Sequence, residues 1–212
     1  MKKPLKVAAW SGLFLIILSI IVNIPPYLIK NTRILNLITS PIYLITSILA
    51  IFFAYGFVAL GKKFNNKLLV VLAWIGIAIS ILLSILFLFG TIFSIIGFSQ
   101  PSLSPENFTT NLTGNFSSSY ELQQSLGSGF LGIILGIFIV LIIIVILISV
   151  LSILNGVALL KLKGKVSLAE TAGILEIIGG ATLIIFIGIF VLLAAYIVEI
   201  IMFFKASKKF EK

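Results

Sequence analysis

The sequence predicts an all-α, polytopic transmembrane helix bundle, and three observations carry that prediction. Of 212 residues 60% are apolar, and the mean hydropathy is +1.29, far above that of chains that fold in water. The apolar residues form continuous runs of 20 to 39 residues, and about 20 helical residues cross a hydrocarbon core. The basic residues sit in short clusters between the runs. Barrel strands would alternate apolar and polar residues over about 10 positions, and these runs do not alternate. The polar remainder is too small for a separate soluble core, so residues 1–212 read as one bundle.

The first run, Leu5 to Leu28, follows Lys2, Lys3 and Lys6 and so resembles a secretory signal. It is longer than an ordinary signal core and lacks a small-x-small cleavage site before Pro25-Pro26. An uncleaved helix ending at the proline pair is expected. The second run, Leu37 to Leu60, precedes Lys62, Lys63 and Lys67. The third covers Leu68 to Phe98 and the fourth Phe130 to Leu160. Lys161, Lys163 and Lys165 then introduce an apolar stretch from Val166 to Phe204, and a basic tail over 205–212 follows.

That last stretch has two readings. As one helix its 39 residues would measure about 58 Å, nearly twice the core thickness. As a hairpin turning near Phe186 to Gly188 it leaves 20 and 16 residues on either side. Basic-residue counting separates them, because cytoplasmic loops collect Lys and Arg. The hairpin puts 13 basic residues inside and two, Lys30 and Arg33, outside; a single crossing gives nine against six. Six spans, with both termini cytoplasmic in a plasma membrane, is therefore the expectation, and five long spans the alternative.

The segment 99–128 has no Lys or Arg and is rich in Ser, Thr, Asn and Pro. It carries three N-x-S/T sequons, at Asn107, Asn111 and Asn115, so it is expected to be an extracellular, N-glycosylated loop. The competing explanation is that such a composition produces sequons by chance. Phe108, Leu112, Phe116 and Tyr120 recur every four residues, which fits a surface helix resting on headgroups. The Ser, Thr and Gly content fits an irregular polar loop equally well.

There is no Cys, His or Asp, which excludes thiolate, haem, zinc and Ser-His-Asp chemistry; no cofactor or metal is expected. The net charge of +9 is read as pairing with anionic lipid headgroups, at roughly 1 kcal/mol per basic residue, rather than with nucleic acid. Close helix packing in lipid uses small residues. Gly76, Ser80 and Ser84 form one small-residue stripe and Ser128, Gly132 and Gly136 another, with Gly179-Gly180 and Gly188 available to the last helices. Packing within one subunit is the plain reading, contact between copies the other.

Glu176 and Glu199 fall inside the last apolar stretch, where a carboxylate costs at least about 2.5 kcal/mol unless it faces the bundle interior with a partner. Counting from the lysine loop puts Ser152 near the depth of Glu176 and Asn155 near that of Glu199, with Ser149 on the same stripe and Tyr196 on the face of Glu199. The expected result is a buried polar cluster. It serves either to hold helices in register or to bind a cation or relay protons. Glu199 alternatively reaches the inner interface and pairs with Lys205.

Two segments, Tyr55-Gly-Phe-Val-Ala-Leu-Gly-Lys-Lys-Phe-Asn-Asn-Lys and Ala172-Gly-Ile-Leu-Glu-Ile-Ile-Gly-Gly-Ala-Thr-Leu with its Phe203-Phe204 ending, resemble small archaeal membrane proteins grouped as domain of unknown function 996. The resemblance covers about half the chain and implies a membrane protein with no assigned activity or site residues. The expected function is a non-enzymatic structural, assembly or accessory subunit whose partners are membrane lipids and other membrane subunits or itself. The alternative is a small ion- or proton-coupled transporter or channel using Glu176 and Glu199. An intramembrane enzyme would have only Ser or Thr with Lys to work with.

Overall fold

The chain is all-helical in the computed structural model, which describes residues 2–30, 32–98 and 119–210; among these there is no strand. Helix α1 (Lys2–Val22) stops before the proline pair. The amides of Asn23 and Ile24 close the turn on Ile20 and Ile21 carbonyls, each at 3.2 Å. Pro25 and Pro26 then open the single-turn α2 (Pro25–Leu28), where a missing N–H costs nothing. Helix α3 (Thr32–Lys63) runs through Pro41, and α4 (Lys67–Phe98) returns from it. Helix α5 (Ser119–Leu160) starts well before the Phe130 expected, so the end of the segment read as an outer loop is helical.

The 39-residue stretch is a hairpin and not one long crossing. Helix α6 (Ala169–Thr182) runs unbroken through Gly179-Gly180 into a 3₁₀ turn at Leu183–Ile185, and the chain reverses into α7 (Ile187–Lys209). The hinge is Phe186 at φ 62°, a left-handed conformation that costs a non-glycine residue about 1–2 kcal/mol. Gly188 makes the reversal tight: a β-carbon there would collide with the Gly179 carbonyl and the Leu183 backbone. Among the described residues, five helices are long and apolar enough to cross a membrane. The sixth, α6, rises only about 21 Å, or about 27 Å with its 3₁₀ turn. The six principal helices are thus five spanning ones and one short limb.

Neighbouring helices pack in the spatial order α4, α3, α1, α7, α6, α5, an arc whose ends, α4 and α5, barely touch. The lysine clusters gather at one end. There Lys63 lies over the Phe210 ring at 3.2 Å, Lys209 donates to the Lys165 carbonyl at 3.1 Å, and Lys163 pairs with Glu170 at 2.5 Å. The buried core lies toward the same end, around Leu5, Leu60, Leu69, Leu159, Leu162 and Phe203. Farther out, α4 from Leu82 and α5 from Ile137 expose aliphatic side chains on almost every face, as helices solvated by lipid do.

Candidate functional site

The polar residues of the apolar stretches converge where α5, α6 and α7 meet. Ser149, Ser152 and Asn155 lie along one stripe of α5, spaced for a single helix face. The Ser149 hydroxyl donates to the Gly180 carbonyl of α6. The Ser152 hydroxyl donates to the Glu176 carboxyl and, at 3.2 Å, to the Glu176 backbone carbonyl. The Asn155 amide donates to Glu199 Oε1 at 3.4 Å. Glu199, 2% exposed, points inward; it does not reach the interface toward Lys205.

The hairpin brings the two acids together. Glu176 is held by Ser152 and Glu199 by Asn155, one turn farther along the same face of α5, and no ion pair to either acid occurs among the described residues. The one ion pair among the described residues, Lys163 with Glu170, is at the lysine end. Tyr196, expected on the face of Glu199, turns its hydroxyl to the Gly12 carbonyl of α1 at 3.3 Å and sets its ring 4.6 Å from that of Phe53, tilted by 47°. No group of three metal-ligating side chains occurs among the described residues.

No family model, curated protein or solved structure matches this chain. The site is therefore read from its own geometry. Glu176, Ser152, Asn155 and Tyr196 form the polar wall of a cavity of about 400 Å³ in the seam between α4 and α5. Its other walls are apolar and come from α3, α4, α5 and α7, with Phe53, Phe57, Leu72 and Leu151 prominent. The seam is closed toward the lysine end by Asn66, whose amide donates to the Ala158 carbonyl at 2.7 Å.

The small-residue stripes divide. On α4, Ser84 donates to Ser47 of α3 at 2.9 Å, Ser80 bonds back to the Gly76 carbonyl, and Gly76 lines the cavity with only Ala54 near its missing β-carbon. On α5, a β-carbon at Gly136 has no neighbour within 4 Å among the described residues. The side chains of Ser128 and Gly132, and the sequons at Asn107, Asn111 and Asn115, lie outside the described residues.

Gly179, Gly180 and Gly188 do bring backbones together, with Gly180 against the Ser149 carbonyl of α5 and Gly188 against the Gly179 carbonyl, and further close contacts involve glycines the sequence did not single out. Gly156 of α5 and Gly173 of α6 face each other so closely that a β-carbon on either would sit 2.5–2.7 Å from the other's carbonyl oxygen. Gly12 and Gly56 admit Phe53 and Ala8 across the α1–α3 contact. Each glycine's partner is a glycine, alanine or bulky side chain on another helix, so no periodicity within one helix marks it.

Proposed function

We propose that this chain is a small multi-pass membrane protein that binds and passes a cation or protons at the Glu176–Glu199 pair, as a transporter or channel and without covalent catalysis. One observation carries the reading. Two carboxyls are gathered in one polar cluster of an apolar bundle, Glu176 on Ser152 and Glu199 on Asn155, and neither has an ion-pair partner among the described residues; such a cluster needs a proton or cation. A cluster that served only to fix helix register would have no need of the adjoining cavity. Both termini and the lysine end are taken as cytoplasmic and the segment 99–128 as extracellular and glycosylated, on the charge asymmetry and the sequons. Kinship with the archaeal membrane proteins of domain of unknown function 996 is proposed on the two segments that carry the resemblance.

A second reading, an accessory subunit of a membrane complex, is supported by the outer part of α5. Ile137 to Val150 is exposed on nearly every side and Gly136 is bare, a surface on which another helix packs as well as lipid does. Reconstitution into liposomes separates the two. The purified chain is expected to dissipate an imposed proton or sodium gradient. Glu176→Gln and Glu199→Gln each abolish that flux, while Glu170→Gln, at the lysine end, leaves it intact. Wild-type vesicles that hold both gradients as well as empty ones do would refute the transport reading and leave the accessory one.

A further inference from the structure

We propose that the cavity in the α4–α5 seam is a binding site for a lipophilic ammonium cation that enters sideways from the bilayer. This rests on the cation-site reading above and names the class of ligand. The cavity's size suits a small organic molecule rather than a bare ion: about 400 Å³ falls in the range of pockets that enclose drug-sized ligands. Its chemistry is divided. One wall holds Glu176 with Ser152 and Asn155, and the rest, including the Tyr196 ring, is aromatic and aliphatic. Glu176, which has no ion-pair partner among the described residues, supplies the complementary charge. Phe53 and Phe57 offer ring surface, which attracts a quaternary or tertiary ammonium within about 6 Å.

The route follows from the helix order. α4 and α5 close the arc only weakly, so the cavity's open side lies between two helices whose outer faces are aliphatic. A ligand with a hydrocarbon body and one charge partitions into the bilayer, and a lateral seam reaches it there without an aqueous path.

The test uses the full-length protein in lipid nanodiscs and two probes of the same shape, benzyltrimethylammonium and its uncharged carbon analogue neopentylbenzene, with binding measured by calorimetry. The cation is expected to bind at least about tenfold more tightly than the neutral analogue. Glu176→Gln removes the charge, and Gly76→Leu fills the cavity from a position where a β-carbon meets only Ala54 at 3.9 Å; each is expected to weaken cation binding at least about tenfold. Equal binding of the two probes, or cation binding unchanged by Gly76→Leu, overturns the proposal. Liposome flux that depends on Glu176 in a protein that binds neither probe discards the ligand class and keeps the ion-coupled function. Flux independent of Glu176 discards the function itself.

Discussion

Gly156→Val is expected to lower the stability of the bundle by about 3 kcal/mol, the largest effect of any single substitution considered. The reason is the partner atom. A β-carbon at Gly156 would lie 2.5 Å from the Gly173 carbonyl oxygen and 3.0 Å from the Ile177 amide nitrogen, and backbone atoms cannot turn aside as a side chain can. Relief requires α6 to move away from α5. That displacement also pulls Glu176 from Ser152 and Gly180 from Ser149, the hydrogen bonds that tie the two helices. Denaturation in mixed micelles provides the measurement, with Gly136→Val and Gly90→Val as matched controls. A β-carbon at either control position meets nothing within 4 Å, so both should stay within about 0.5 kcal/mol of wild type. Three equal losses would mean that glycine is needed for some reason other than α5–α6 contact.

Asn66→Ala is expected to cost about 2 kcal/mol, because this one side chain does two jobs. Its oxygen accepts the Leu69 amide at 3.2 Å and so caps α4, while its nitrogen donates to the Ala158 carbonyl near the end of α5 at 2.7 Å. Asn66 is 7% exposed, so neither group finds water when the partner is lost. Asn66→Ser keeps the cap and loses the bridge, and about half of the stability should return. The same unfolding assay resolves the two contributions. Full recovery in Asn66→Ser would show that the link across the α4–α5 seam contributes nothing.

Much of this architecture is legible in the sequence because lipid imposes simple rules. Span lengths, the proline stop after α1 and the lysine loops follow from apolar run length and charge placement alone. Charge counting also favoured the hairpin, although no polar residue marks its turn. The structure explains the silence: Phe186 adopts the left-handed turn and Gly188 packs against Gly179, and neither residue type announces a reversal in an apolar stretch. The shortness of α6 was not legible either, since its 3₁₀ continuation is apolar like the helix before it.

The polar cluster was half legible. Residue counting from the lysine loop puts Ser152 at the depth of Glu176 and Asn155 at that of Glu199, and those are the pairs that meet. Counting along one helix cannot supply the partners that come from elsewhere. Nothing in α7 tells that Tyr196 reaches Gly12 of α1, and nothing in α4 tells that Gly76 borders a cavity instead of a neighbouring helix. The same limit applies to Gly136, which completes a small-residue stripe although a β-carbon there has no neighbour within 4 Å among the described residues.

The pairing of Glu176 with Glu199 exists only because the chain turns back at Phe186, and side-specific thiol labelling in sealed vesicles tests that reversal most directly. The chain holds no cysteine, so Lys163→Cys, Lys208→Cys and Tyr27→Cys each introduce a single thiol; Tyr27, between α1 and α3, is 89% exposed. An impermeant reagent should reach the first two variants from one face of the membrane and the third from the opposite face. Labelling of Lys208→Cys from the face opposite Lys163→Cys would mean a single crossing, and the two acids would not meet.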